Sequence, residues 1–423
     1  MLEASREGWR NKCDRGARWC AIALGFSIPV STALDNVLLF GCFVLGVLGG
    51  HFRQCLRLLW DTPVGRTITI LVVVHALGTV YTTAGAHDAF KSLSRMLSLV
   101  LLVALVPILG DRVLRERALL CFLLAEGLTL VISYLIWLQI VPVAWWHKGE
   151  PADPVVFKLH ITHNLLMAFA TLIFALRARD AENGRSRTVY LLLAAAAAVN
   201  VLVLVGGRTG HVVLAVFLVY LALTMTPHHW VHRAFAAAAV VLTIGLAGWL
   251  LPESALHQRA AKALEQLHEY QPGDTGYDPI SGAPNSIVLR LEFWRQSLAI
   301  IREHPLFGVG TGGFPRAYGD RVRPLGQPPT SNPLSEYLMI AVELGVIGLA
   351  VYVAMLIALL RAAERIPDRT GRDLARCLVI AYGIVSLVSS TLVDHTERVF
   401  FIWLGAIAIA RIPGLASAVP RAR

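Results

Sequence analysis

"WRQSLAIIREHPLFGVGTGGF", residues 294–314, is a polar island in an apolar chain. It reads as the second half of an amphipathic helix that runs into His304-Pro305, where a proline disfavours helical backbone in the residue before it. A glycine-rich turn follows, and long apolar runs lie on both sides. Of the 423 residues, 56% are hydrophobic and only 16% charged, and the mean hydropathy is +0.61. A soluble chain carries about 25% charge. Apolar runs long enough to cross roughly 30 Å of hydrocarbon recur along the sequence. The composition therefore predicts an all-α polytopic membrane protein, and the polar island belongs to a large helical loop outside the bilayer.

About twelve spans are expected, near residues 19–33, 36–51, 67–84, 95–109, 117–139, 155–176, 188–205, 211–226, 233–251, 334–360, 376–393 and 398–411. Several are short and Pro29 interrupts the first, so one or two can be re-entrant or tilted. Placing the N-terminus inside puts 24 of the 38 basic residues on inner segments, six in short outer loops and eight in one long outer loop. That asymmetry follows the positive-inside rule and accounts for the formal charge of +10 without nucleic acid. The six cysteines fall in spans or on the inner side, so neither a disulfide framework nor a cysteine metal site is indicated. No cleavable signal peptide and no internal repeat is evident. The expected organisation is nine spans over 1–251, an outer cap over 252–333, and three spans with an inner tail over 334–423.

The cap is too long for a passive connector. Pro252-Glu253 suits a helix start, with Leu256, Ala260, Leu264 and Leu267 on one face. "QPGDTGYDPISGAPNS" then reads as loop. Asn285 or Ser286 can cap a second helix whose apolar stripe is Ile287, Leu291, Trp294, Leu298 and Ile301. Arg290 projects off that stripe.

Ionisable residues at membrane depth are costly and tend to be functional. "GGRTGH" puts Arg208 at the outer end of the seventh span, where the bland alternative is a snorkelling anchor. "KLHITHN" puts Lys158, His160 and His163 near the outer end of the sixth, with Trp145 and Trp146 before it as interface anchors. The two histidines at i, i+3 can share a metal, but no acidic partner stands nearby, and a structural or substrate-contact role is the better reading. "DHTER" places Asp394, His395, Glu397 and Arg398 in a short outer turn, where Asp394 and His395 resemble an acid/base pair. "GVGTGG" is not a phosphate-binding P-loop, since no Gly-Lys-Ser/Thr follows, so its glycines are read as packing the cap onto the bundle.

"NSIVLRLEFWRQSLAIIREHPLFGVGTGGF" followed by "SNPLSEYLMIAVELGVIGLAVYV" resembles the signature of the O-antigen ligase and polymerase superfamily, and "GGRTG" is similar to its arginine motif. The resemblance covers about residues 205–220 and 285–350. It implies a GT-C-like glycosyltransferase acting on undecaprenyl-pyrophosphate-linked glycans at the outer face of the bacterial inner membrane. A ligase of this kind moves O-antigen to lipid A-core in lipopolysaccharide biosynthesis. The arginine roles carry over to Arg208 and Arg290, and Arg295, Glu336 and Tyr337 join Lys158 and His163 as substrate-contact candidates. The family's His-Asn or His-Ser before "EYL" corresponds here to Leu334-Ser335, so the catalytic histidine that the resemblance implies is missing.

A lipid diphosphate is an activated donor, so no nucleotide site or cofactor is required. Guanidinium clamps can stabilise the departing charge, and no metal is expected. The base is then His395, with His304 as second candidate, or none. The alternatives are an O-antigen or exopolysaccharide polymerase with the same donor, a transporter for the same lipid, and a non-catalytic assembly partner. The absence of a repeat and the clustering of charge at one face argue against the transporter.

Overall fold

The computed structural model describes residues 2–141, 149–225 and 286–415, together with Glu265, His268 and Gln271. The expected ninth span, nearly all of the first cap helix with its following loop, and Trp145 and Trp146 lie outside the described residues. Those that are described form an all-helical chain with one isolated bridge, between Glu150 and Asp153.

Two compact units share the helices. The first comprises residues 1–50, 108–260 and 367–381. Here α1 (Leu2–Val30) packs on α2 (Thr32–Leu48) and α7 (Arg112–Trp137), and α8 (His160–Asp180) packs on α9 (Gly184–Val199) and α10 (Arg208–Met225). A π-helical turn over Asn200–Leu204 leads from α9 toward α10.

Residues 51–107, 261–366 and 382–423 make the second unit. It holds α3 (Phe52–Asp61), α4 (Pro63–Gly78), α5 (Ala86–Leu97), α6 (Val100–Ile108), α11 (Ser286–Glu303), α12 (Phe314–Val322), α13 (Glu336–Ala363) and α15 (His395–Ile409). The remaining helix, α14 (Arg369–Val385), begins in the first unit and ends in the second. Around α13 are packed α4, α11, α12 and α15.

Five described segments are long and apolar enough to cross a bilayer: 86–108, α7, α8, 184–204 and α13. A sixth is counted if α2 and α3, bent by 101°, form one broken span. Among the described residues the count is therefore five or six. At 16 and 15 residues, α4 and α15 extend about 24 and 22 Å, short of the hydrocarbon core.

The polar island is the clasp of the second unit. Gly345 interrupts α13 at φ 63°, ψ −162°. Around this break the turn after α11 takes up carbonyls of α13: Val309 N–H donates to Val342 O and Gly310 N–H to Glu343 O, both at 2.9 Å. On its other side Thr311 bonds the end of α4 through its N–H to Gly78 O (3.1 Å) and its hydroxyl to His75 O (2.7 Å). Gly310 stands at φ 91°, and a Cβ there would overlap the backbone of Thr82. Glycine is required both for the dihedral and for the approach.

Candidate functional site

The arginine motif of the first unit follows the π-helical turn. Asn200 is buried in it: its Oδ1 accepts from His163 Nε2 at 3.0 Å and its Nδ2 donates to Ser133 Oγ at 2.8 Å; that hydroxyl donates to Pro154 O at 2.7 Å. Gly206 N–H is held by Asp153 Oδ1 at 2.7 Å. Gly207 and Gly210 lie so close to Asn164 of α8 that any side chain would collide with it. These contacts fix the start of α10, whose first residue is Arg208, and Gly207 O accepts the N–H groups of Gly210 at 3.1 Å and His211 at 3.4 Å. The Arg208 side chain lies outside what is described.

Two expected substrate contacts have structural partners instead. His163 is buried on Asn200, whereas His160 is exposed, so the two do not share one site. Lys158 faces Asp35 at 3.8 Å with both side chains buried, and Asp35 also accepts from Ser27 Oγ at 2.5 Å.

In the second unit, the described part of α11 runs over Ser286–Glu303, and its buried face differs from the expected stripe. Val288, Glu292, Gln296, Ser297 and Ile300 point inward, while Leu298 is 45% exposed. The reason is hydrogen bonding. Arg295 grips Glu292 through both arms of its fork, at 2.9 and 2.6 Å, and Gln296 donates to the same carboxylate at 2.8 Å. Arg321 of α12 donates to Gln296 Oε1 at 2.9 Å and to Glu303 at 2.6 Å. Burial alone would raise the Glu292 carboxyl, but hydrogen bonds from Arg295, Gln296 and Gln327 hold it at about 2. Arg295, expected to touch substrate, is thus part of the α11–α12 joint. Arg290 is half-buried two positions before Glu292.

The N-terminal end of α13 is equally well connected. Asn332 Oδ1 accepts from Leu334 N–H at 2.8 Å and from Ser390 Oγ at 2.7 Å. Ser335 caps α13 and donates to Ser386 O at 3.1 Å. Glu336, fully buried, accepts from Leu392 N–H at 2.9 Å. Tyr337 donates to Gly383 O at 2.8 Å. Glu336 and Tyr337, expected at the substrate, therefore hold the 383–392 segment in place. Leu334, at the position where the resemblance implies histidine, has φ 55°.

That segment leads into the outer turn. Asp394 is the N-cap residue of α15 and His395 its first residue, half-buried. Arg398, 8% exposed, donates to Leu392 O at 2.6 Å and Val393 O at 3.1 Å. Asp394 keeps an exposed edge; burial of the rest pushes its carboxyl up, against the pull of Arg398 and Arg95. Arg95 is the residue that sequence reasoning missed. From α5 its positive charge acts on Asp394, and one turn earlier the same helix carries Ser92 to a 2.9 Å hydrogen bond with Glu343. No local pattern marks it, because its partners lie about 250 to 300 positions away. Arg95 and Arg398 thus both favour a negative charge on Asp394, next to His395 in the chain.

Residues 193–353 match the family model described as O-antigen ligase. No curated protein matches the chain.

Proposed function

We propose, from the O-antigen ligase region that residues 193–353 carry, that this protein transfers O-antigen polysaccharide from undecaprenyl pyrophosphate to a sugar of lipid A-core. The reaction takes place at the periplasmic face of the bacterial inner membrane, in a GT-C-like glycosyltransferase with about twelve spans. The carrying observation is that one matched region contains both Arg208, at the start of α10, and Arg290, on α11.

The bond between the anomeric carbon and the diphosphate oxygen breaks, the acceptor hydroxyl oxygen bonds to that carbon, and the hydroxyl proton departs. Arg208 and Arg290 stabilise the charge that gathers on the leaving diphosphate, and each charge-assisted hydrogen bond contributes roughly 1.5–3 kcal/mol. Guanidinium forks meet phosphate oxygens in pairs and remain charged at any working pH. His395, beside Asp394, takes the proton, or the proton passes to water once departure of the diphosphate is advanced. No metal is required in this scheme.

Deletion of the gene and gel analysis of lipopolysaccharide test the proposal. A ligase leaves uncapped lipid A-core while lipid-linked polymer persists. Loss of the polymer itself replaces this reading with a polymerase, which the same family region accommodates.

A further inference from the structure

The end of α13 remote from Glu336 borders a cavity of about 770 Å³, within the size range of small-molecule sites. Glu336 and Arg361 are separated along α13 by on the order of 35 Å, so the cavity is distinct from the N-terminal cluster. Its walls are apolar side chains of α6, α13 and α15, among them Val103, Val106, Ile357 and Ile409.

Its polar lining is of two kinds. Arg57 of α3, Arg361 of α13 and Arg365 just beyond α13 bring three guanidinium groups, and no hydrogen bond or ion pair to their side chains exists among the described residues. Basic residues at a helix end and at the inner bilayer surface are ordinary. Gln54 is not. It is 6% exposed, its Nε2 donates to Leu415 O at 3.0 Å, and its Oε1, also buried, accepts nothing. Exchanging the amide's O and N would break the bond to Leu415, so the acceptor is assigned by its neighbour. Buried acceptors are rarely left unused. Asp61 supplies a second acceptor on the same lining.

Three cations beside two acceptors, above an apolar wall, match one chemistry: a phosphate diester whose headgroup carries hydroxyl donors and whose tail is hydrocarbon. We propose that this cavity binds an anionic glycerophospholipid with a hydroxylated headgroup, of the phosphatidylglycerol class. The phosphate lies on Arg57, Arg361 and Arg365, the headgroup hydroxyls donate to Gln54 and Asp61, and the acyl chains run along α6 and α15. Basic pockets between membrane helices bind anionic headgroups for the same electrostatic reason. Inorganic phosphate fits less well, since it leaves the apolar wall bare and meets Asp61 with like charge. The chain's own last residues, 416–423, contain Arg421 and Arg423 and no acid, so they carry the sign of the rim.

The test is native mass spectrometry of the full-length protein in neutral detergent, titrated with phosphatidylglycerol, phosphatidic acid, phosphatidylcholine or inorganic phosphate. Phosphatidylglycerol should bind about tenfold more tightly than phosphatidylcholine, as two or more arginines facing a phosphate require. Arg361→Ala/Arg365→Ala should lose about tenfold, while the charge-matched control Arg112→Ala/Arg117→Ala on α7 should bind like wild type. Gln54→Leu should erase the preference for phosphatidylglycerol over phosphatidic acid and leave the preference over phosphatidylcholine. If the double variant is not recovered folded, Arg57→Ala alone should lose severalfold. Equal binding of phosphatidylglycerol and phosphatidylcholine overturns the proposal. So does unchanged binding in the arginine variants, equal loss in the α7 control, or competition by inorganic phosphate at equal concentration.

Discussion

The two ends of α13 hold polar groups in opposite ways. At the N-terminal end, Asn332, Ser335, Glu336 and Tyr337 each have a partner between 2.7 and 3.1 Å. At the other end, three guanidinium groups face a cavity without a partner among the described residues. A buried polar group bonded to its own chain specifies the fold, since removing one side strands the other. A cation left open to a cavity or a groove is placed for something that is not protein. Lys158, His163, Arg295, Glu336 and Tyr337, read from the sequence as substrate contacts, each have at least one partner within the chain itself.

The largest expected effect sets Arg290 against Arg295, five positions apart on α11. Arg290→Ala and Arg208→Ala should each slow transfer in vitro by about 30- to 1000-fold, as loss of one charge-stabilising donor does. Arg290→Lys should recover little of this, because lysine lacks the planar fork. Arg295→Lys should keep turnover within about tenfold and lower thermal stability instead. Near-normal turnover in both alanine variants, at normal protein levels, removes these arginines from the mechanism.

Breaking the clasp comes next. Gly310→Ala puts a side chain at φ 91° against the Thr82 backbone, and it should cost about 2–4 kcal/mol of stability. Arg361→Ala/Arg365→Ala, in lipid-free detergent, should stay within about 0.5 kcal/mol. Equal melting temperatures for the two variants would contradict the contrast between the ends of α13.

His395 offers a smaller effect. If it takes the proton, His395→Ala should slow transfer by about 100-fold and flatten the acid limb of the pH–rate profile. A wild-type rate in His395→Ala selects the base-free route. The same assay with chelator checks the metal-free scheme, which fails if magnesium or manganese restores lost activity.

The smallest effect is the acid limb of stability. The Glu292 carboxyl is held at about 2, below its ordinary value near 4.5. Its ionised form therefore contributes stability that is fully present above about pH 4.5 and lost as pH falls toward 2. Glu292→Gln should weaken that dependence on pH, read as melting temperature in detergent between pH 5 and 3.

Periodicity and charge made the membrane class legible, along with the helix of α11 and the packing role of the glycine turn. What they missed has physical causes. The buried face of α11 carries Glu292 and Gln296, and hydrophobic periodicity cannot see an interface sealed by hydrogen bonds. The 101° corner between α2 and α3 was read as the end of one span because α3 is amphipathic and charged. Arg95 was overlooked because its role arises from packing across the chain, whereas Arg208 and Arg290 stood out through motifs. Likewise Lys158 looked exposed to ligand until Asp35, far earlier in sequence, supplied its counter-charge.

Leu334 keeps its backbone at φ 55°, held by the bond from its N–H to Asn332. Leucine is uncommon in that region, while histidine, asparagine and aspartate are several-fold enriched there. The resemblance implies histidine at this very position, so the main chain is a mould whose shape suits a side chain it does not hold. A mould of this kind lowers the barrier to refitting the residue: Leu334→His asks for no new backbone path, only an imidazole in place of an isobutyl group.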